Sequence, residues 1–287
     1  MAARPLASAS VTSLDTADAD TEAGRTIRYG VIGTGMMGCE HLRNIAALPG
    51  AVTVAVSDPT PKSLGWAASA LRETGQPAAP QYAGHRELLE RDDLDAVLIA
   101  SPNFTHAAVV RDVLEARPDL HVMVEKPLCT TVDDCKTLIA ARDARPTGSG
   151  IAWVGLEYRY MPPAARFLAE IRAGTVGSLK MLAIREHRFP FLVKVDNWNR
   201  FSANTGGTLV EKCCHFFDLM NLAVGARPLR VMASGGQDVN HLDEIYNTPN
   251  GPKRSDILDN AYVIVDYENG ARCLLDQIGR ASCRERV

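Results

Sequence analysis

Hydrophobic and polar positions in the first half of the chain are distributed in a pattern typical of alternating strands and helices. Short apolar runs predict strands at residues 27–32, 52–56, 95–100 and 121–124. Amphipathic segments between them predict helices, including residues 62–74, 85–91 and 106–116. Continuous apolar runs are typical of strands that are buried on both faces of a parallel sheet. Residues 26–150 are therefore predicted to form a doubly wound, parallel α/β domain.

The pattern changes from residue 151 onward. Strand-like segments now follow one another with fewer helices between them, and residues 162–173 are predicted to form a helix. The predicted strands are residues 151–157, 179–186, 229–234, 261–266 and 271–276. Alternating and β-branched residues favour an α+β second domain over residues 151–277, with a mostly antiparallel sheet. The polar stretch 240–256 is predicted to be a surface loop.

Both ends of the chain differ from the two domains. Residues 1–25 are rich in Ala, Ser, Thr and Asp and predict a disordered tail, which is too acidic for a good transit peptide. Residues 278–287 match, codon for codon, one reading of a widely used sequencing adaptor, and we interpret them as an artefact. The natural protein is then expected to continue beyond Gln277, which leaves the second domain incomplete here.

Composition excludes several classes of function. The 287 residues are 46% hydrophobic and 23% charged, with a net charge of −3, so no basic surface for nucleic acid or an anionic membrane is expected. No apolar run reaches transmembrane length. The seven cysteines show no paired CxxC spacing, which argues against a zinc site. Without a secretory signal, reduced thiols and a cytoplasmic location are expected.

A glycine-rich turn joins the first strand to the first helix. Gly33 permits a tight turn, Gly35 leaves room for a pyrophosphate, and Gly38 allows the helix to pack closely on the sheet. The helix begins near Met36 and Met37, where free backbone N–H groups and the positive end of the helix dipole favour phosphate. This pattern predicts a dinucleotide-binding site.

An acidic residue ends the second strand at the distance that a dinucleotide site requires. Asp58 follows Gly38 by twenty residues, and its carboxylate can accept hydrogen bonds from both hydroxyls of an adenosine ribose. It would repel a 2′-phosphate, so NAD is favoured over NADP, although Lys62 is near. A methyltransferase also combines a glycine-rich first turn with an acidic second strand, and at this point it remains the competing interpretation.

The third and fourth strands also end in polar residues. Ser101, Asn103 and His106 follow one strand, and Glu125 and Lys126 follow the next. Ligands of doubly wound sheets bind beyond the carboxyl ends of the strands. All five residues are therefore candidates for the same site as the glycine turn.

The motifs GTGMMG, VSD, SPNFTH and VEKPL, in this order and spacing, resemble the glucose-fructose oxidoreductase, inositol dehydrogenase and MocA (Gfo/Idh/MocA) family. The resemblance covers residues 27–277 and argues against a methyltransferase. It implies that Lys126 lies beside the nicotinamide and stabilises negative charge on the substrate oxygen. It also implies that Asn103 and His106 contact the cofactor.

The resemblance extends to a carboxylate and a histidine in the second domain. The family has Asp-x-x-x-His where this chain has Glu211 and His215, and it implies that the histidine takes the hydroxyl proton. Residues four apart share one face of a helix, so Glu211 is expected to hold the imidazole. The alternative is a structural histidine that packs in the core and forms a hydrogen bond with Glu211. A metal site is not expected, because no third ligand is evident.

Three further residues are substrate candidates, and two functional hypotheses stay open. Arg159 resembles a family position near substrate, and Trp198 and Arg200 are weaker candidates. The first hypothesis is an NAD-dependent dehydrogenase that acts on a secondary alcohol of a sugar, cyclitol or related polyol. The alternative is a non-catalytic NAD(H)-binding regulatory or structural protein. Family members often associate through the second-domain sheet, so a homo-oligomer is expected.

Overall fold

The computed structural model describes residues 25–187, 192, 194–240, 242–248 and 251–278. The predicted tail, residues 1–25, and the predicted artefact, residues 278–287, lie outside the described residues except for Arg25, which pairs with Asp95, and Ile278, which ends the last strand. The first domain is built on a six-stranded sheet whose strands all run parallel, in the order β3-β2-β1-β4-β5-β6. Its strands are β1 (Ile27–Ile32), β2 (Ala51–Ser57), β3 (Gln81–Tyr82), β4 (Ala96–Ile99), β5 (His121–Glu125) and β6 (Ala152–Gly155). This strand order is that of a dinucleotide-binding fold and confirms the predicted parallel sheet.

Helices cover both faces of this sheet. They are α1 (Met36–Ala47), α2 (Pro61–Glu73), α3 (His85–Leu89), α4 (His106–Ala116) and α5 (Val132–Asp143). Neighbouring residues of one strand enter different cores: Val31 packs with the α1 and α2 side chains, whereas Ile32 packs with those of α3, α4 and α5. Side chains of a strand alternate between its two faces, so continuous apolar strands need helices on both. The doubly wound arrangement is thereby confirmed.

One strand lies in a different sheet from the one predicted. The segment 151–157 was expected to open the second domain, but β6 pairs in parallel with β5, from Val122 opposite Ala152 to Glu125 opposite Gly155. The first sheet therefore extends past the expected boundary at residue 150. The reason is that β6 is an edge strand. Trp153 within it is 44% exposed and Ile151 just before it is 62% exposed, so the segment lacks the buried apolar pattern of the central strands.

The second sheet has four strands in the order β7-β12-β11-β8. Strands β12 and β7 run parallel, and the other two pairs are antiparallel, which confirms the mostly antiparallel sheet. The remaining strands are β7 (Met181–His187), β8 (Pro228–Gly236), β9 (Ile245–Thr248), β10 (Gly251–Arg254), β11 (Asn260–Tyr267) and β12 (Arg272–Ile278). The remaining helices are α6 (Pro162–Arg172), α7 (Ser202–Thr205), α8 (Thr208–Glu211) and α9 (Cys214–Val224).

Helix α9 supplies the core of the second domain. Its Phe216 and Met220 pack against Val263 and Leu275 on one face of the sheet. Burial of such large apolar side chains contributes about 1.5–3 kcal/mol each. This packing holds α9, and with it His215, against the sheet.

The polar stretch 240–256 is more ordered than predicted. It contains a short antiparallel hairpin in which β9 pairs with β10, so the predicted surface loop is only part of this stretch. Tyr246 of β9 packs edge-on against the Phe201 ring at 6.0 Å between centroids. This tertiary contact stabilises strands whose polar composition gives little local signal.

Among the described residues, no helix has the length and apolar character that crossing a membrane requires.

Candidate functional site

The glycine turn makes close backbone contacts that other residues would prevent. Gly33 has a φ of 88°, and a Cβ on it would lie 2.5 Å from the Ser101 backbone nitrogen. A Cβ on Gly38 would lie 2.0 Å from the Gly33 carbonyl oxygen, whereas a Cβ on Gly35 would meet nothing within 4 Å. The tight turn and the close helix packing are thus steric requirements, and Gly35 faces open space.

The start of α1 is free to hold an anion. Its N-cap, Gly35, supplies no side-chain hydrogen bond to the first turn. Met36 and Met37 on that turn are 51% and 38% exposed. Unsatisfied N–H groups at a helix start, together with the helix dipole, favour a phosphate there. The residues present therefore fit the pyrophosphate of a dinucleotide.

Asp58 is fixed at the end of β2 by two backbone groups. Its Oδ2 accepts a hydrogen bond from the Thr34 N–H at 2.8 Å, and its Oδ1 accepts one from the Thr60 N–H at 2.8 Å. The carboxylate thus stabilises the glycine turn by hydrogen bonding, and it also lies where the ribose of a dinucleotide is expected. The sequence pattern gave no sign of this second role.

The loop after β4 combines one buried amide with one buried imidazole. Asn103 is only 6% exposed, and its Nδ2 has no hydrogen-bond partner within the described part of the chain. His106 is fully buried, and its two ring nitrogens lie 2.8 Å from the Pro127 carbonyl oxygen and 2.9 Å from that of Ser101. Burial lowers the pKa of His106, while its two backbone hydrogen bonds oppose this. His106 thus joins the two loops that end β4 and β5, and Asn103 keeps an amide available for a ligand.

Glu125 is held inside the first domain. Its Oε1 lies 2.6 Å from His41 Nε2 on α1, and its Oε2 accepts a hydrogen bond from the Lys126 N–H at 3.2 Å. Burial raises the pKa of Glu125, but the hydrogen bond and charge of His41, with the charge of Lys126, outweigh it and leave the pKa below its usual value. The His41 contact links α1 to the end of β5, and sequence reasoning missed it because 84 residues separate the pair.

Lys126 connects the two domains. Its Nζ donates a hydrogen bond to the Glu211 carbonyl oxygen at 3.1 Å, and the Lys126–Pro127 peptide bond is cis. This contact brings the end of β5 against the last residue of α8. The first-domain and second-domain motifs therefore meet at one place.

Glu211 and His215 lie on different helices. Helix α8 ends at Glu211 and α9 begins at Cys214, so the prediction that both side chains share one face of a single helix is wrong. Glu211 Oε1 lies 3.0 Å from Lys212 Nζ. The carboxylate that faces His215 belongs instead to Glu157, whose Oε1 is 3.5 Å from His215 Nε2. A helix break two residues long is enough to turn the two side chains apart.

The three substrate candidates have different surroundings. Arg159 forms a bidentate ion pair with Asp218 of α9. Arg200 is 3% exposed, and its Nε donates a hydrogen bond to the Tyr246 hydroxyl at 3.1 Å. Both arginines thus support the scaffold. Trp198 is partly exposed and lies edge-on to Phe104 of the loop after β4, with 6.3 Å between ring centroids.

Two charged residues beside the site escaped sequence reasoning. Glu157 follows β6 and had no recognisable motif. Lys194 precedes a short 3-10 helix, Val195–Arg200. Burial lowers the pKa of Lys194, the charge of Glu211 opposes this, and the charge of Lys126 lowers it further. No local pattern could have revealed either residue, because the site contacts of each are with residues far away in the sequence.

Among the described residues, no group of three or more His, Cys, Asp or Glu side chains could hold a metal ion.

Comparison with known proteins identifies both domains. Residues 27–147 match the model of the oxidoreductase family with an NAD-binding Rossmann fold, and residues 169–284 match that family's C-terminal alpha/beta domain. The chain is 28% identical to the uncharacterized oxidoreductase YrbE of Bacillus subtilis over 259 residues, which are 90% of this chain and 68% of that protein.

Two further proteins are similar. The chain is 30% identical over 214 residues to an inositol 2-dehydrogenase of Acidothermus cellulolyticus, covering 74% of this chain and 58% of that protein. The crystal structure of a probable dehydrogenase from Thermotoga maritima superposes with a TM-score of 0.73 at 26% identity, covering 89% of this chain and 69% of that one. The chain thus spans between about half and two thirds of the length of such relatives. Both domains belong to the Gfo/Idh/MocA family of oxidoreductases, and the first is its NAD-binding Rossmann domain.

Proposed function

We propose that this protein is an NAD-dependent dehydrogenase that oxidises a secondary alcohol of a sugar, cyclitol or related polyol. The observation that carries the proposal is the hydrogen bond from Lys126 to the Glu211 carbonyl oxygen. It joins the end of β5 to the segment that leads into His215. A cation and an imidazole beside a nucleotide site are what alcohol oxidation requires. The similarity to an inositol 2-dehydrogenase supports this substrate class.

The chain's own residues have distinct roles in this proposal. The glycine turn and the start of α1 hold the pyrophosphate, Asp58 binds the ribose, and Asn103 offers its free amide. When bound, NAD supplies the hydride acceptor. His215 accepts the proton of the substrate hydroxyl, and the Lys126 ammonium group stabilises the negative charge that develops on the oxygen.

Discrimination between NAD and NADP follows from the surroundings of Asp58. Two backbone N–H groups fix its carboxylate at the end of β2. A fixed negative charge favours the ribose hydroxyls of NAD and repels the 2′-phosphate of NADP. We therefore propose NAD as the physiological cofactor.

Initial rates test the proposal directly. NADH formation is measured with a panel of cyclitols, aldoses and acyclic polyols, with NAD or NADP as oxidant. We expect turnover with at least one ring polyol and NAD, and a loss of about 100-fold or more in His215→Gln. NADH binding without turnover on any member of the panel would contradict the dehydrogenase and favour a non-catalytic NAD(H)-binding protein.

The open face of the second sheet supports the proposal of a homo-oligomer. Opposite α9, three large apolar side chains are exposed on this face: Met181 at 77%, Tyr262 at 60% and Met232 at 45%. Large apolar side chains exposed on one sheet face favour association with another surface. Sedimentation velocity tests this: we expect wild-type protein to sediment as an oligomer and Tyr262→Glu to shift it toward monomer. A wild-type monomer at high concentration would refute it.

A further inference from the structure

Glu157 lies where a carboxylate partner of His215 is needed. It opens a short 3-10 helix, Glu157–Tyr160, that follows β6. Its Oε1 is 3.5 Å from His215 Nε2. The next residue, Tyr158, stacks on the imidazole with ring centroids 4.0 Å apart and planes inclined by 10°. One short helix therefore fixes the plane of the imidazole and places a negative charge at one of its nitrogens.

The two side chains differ in their access to water. The His215 side chain is 4% exposed, whereas that of Glu157 is 54% exposed. A proton taken up by a buried imidazole must reach solvent before the next turnover. Glu157 both contacts that imidazole and reaches water, so it offers a route out of the site.

We propose that Glu157 is the proton-transfer and positioning residue for His215. The inference rests on the proposed function, in which His215 takes the hydroxyl proton while the hydride goes to the oxidised cofactor. His215 takes this proton at Nε2, while Nδ1 keeps the other ring hydrogen throughout. Once the oxidised product has left, the Nε2–H bond of the imidazolium breaks, and the proton forms a bond to Glu157 Oε1. The neutral carboxylic acid releases this proton to water, and both side chains return to their initial states.

The charges around Glu157 suit such a transfer. Partial burial raises the pKa of Glu157, and the negative charge of Glu125 raises it further. A backbone hydrogen bond of Glu157 acts most strongly in the opposite direction. The charges of Lys126 and His41 also lower the pKa, but together these contributions do not cancel the rise. A carboxyl group whose pKa lies above its ordinary range is closer to imidazole in proton affinity. Proton transfer from the imidazolium then costs less free energy than transfer to an ordinary carboxylate.

A titration without substrate tests the coupling on the whole chain. Imidazole resonances are followed by NMR across pH in wild type, Glu157→Gln and the matched variant Glu211→Gln, and His215→Gln assigns the signal. Loss of a negative charge near Nε2 should move the His215 midpoint to lower pH by about half a unit to one unit in Glu157→Gln. Glu211→Gln should move it less. An unchanged midpoint in Glu157→Gln, or a larger change in Glu211→Gln, would overturn the proposal.

Kinetic rescue tests the transfer step. We expect Glu157→Ala to lower kcat by about 10- to 100-fold and formate to restore part of the loss, because a small carboxylate can accept the proton in place of the side chain. His215→Ala should not respond to formate, and Glu90→Ala, on the exposed surface, should behave like wild type. A Glu157→Ala enzyme with full activity, or a loss that formate leaves unchanged, would refute proton transfer. If wild type shows no turnover, the dehydrogenase proposal fails, while the NMR titration still decides whether Glu157 and His215 are coupled.

Discussion

The two sides of the candidate site are built from different kinds of contact. On the first-domain side, glycines at fixed spacing allow the backbone of β1, α1 and the loop after β4 to approach closely. On the second-domain side, charged side chains from distant segments meet in pairs, with Glu157 on His215 and Arg159 on Asp218. A backbone site is defined by a short local pattern. In a site of paired side chains, the chain topology determines which residues meet. Single substitutions should therefore affect the first-domain side and the second-domain side in different ways.

The largest effect is expected at Gly38. A Cβ there would lie 2.0 Å from the Gly33 carbonyl oxygen, so Gly38→Ala must displace backbone. We expect a loss of about 3 kcal/mol in the free energy of unfolding, together with loss of NADH binding. Denaturant unfolding followed by circular dichroism and NADH fluorescence titration measure the two effects.

Gly35→Ala is the matched variant. A Cβ at Gly35 would meet nothing within 4 Å, so its stability should stay within about 0.5 kcal/mol of wild type. Its methyl group would occupy space proposed for the pyrophosphate, and NADH should bind about tenfold more weakly. Equal unfolding effects in the two variants would show that close packing does not define this side of the site.

The next largest effect is expected at Lys126, where the two sides meet. Lys126→Ala removes the ammonium group proposed to stabilise the substrate oxygen, and loss of one such group costs about 100- to 1,000-fold in kcat. NADH affinity should change by less than about threefold. Rates and NADH titrations on the same preparations separate the effects. A variant with wild-type kcat would remove Lys126 from the proposed mechanism.

The sequence predicted the first-domain side well because its determinants are local. The glycine spacing and the continuous apolar strands each depend on residues close in the chain, and the observed sheet follows them. The exception is β6, whose exposed edge position weakens its apolar pattern. On this side too, the sequence did not predict contacts between residues far apart in the chain. Nothing in the sequence near His41 indicates that it contacts Glu125.

The second-domain side was harder to predict because several acidic residues are available. Helical spacing favoured Glu211 as the partner of His215, but a break after α8 turns Glu211 toward Lys212. Glu157 meets the imidazole because β6 joins the first sheet and delivers the following 3-10 helix to α9. That placement depends on strand pairing, which a local pattern does not contain.

A smaller effect is expected at the Arg159–Asp218 pair. Their side chains are 23% and 14% exposed, so Arg159→Ala leaves a largely buried carboxylate and should cost about 1–3 kcal/mol of unfolding free energy. Asp218→Asn should cost a similar amount, and a double-mutant cycle should give a coupling of about 1 kcal/mol or more. KM should change by less than about twofold in each variant. A KM increase confined to the Arg159 variant would support the substrate contact that the resemblance implies.

The smallest effect is expected in cofactor preference. Asp58→Asn removes the charge proposed to repel a 2′-phosphate but keeps an oxygen that can accept a hydrogen bond from the Thr34 or Thr60 N–H. The ratio of kcat/KM for NAD over NADP should fall by about tenfold, equal to about 1.4 kcal/mol. Lys62→Ala is the matched control, because Lys62 Nζ lies over the Trp66 ring at 5.4 Å and is not required for NAD binding in this proposal. If Lys62→Ala changes the ratio more than Asp58→Asn does, then the lysine and not the carboxylate sets the preference, and this part of the first-domain side is also governed by side chains.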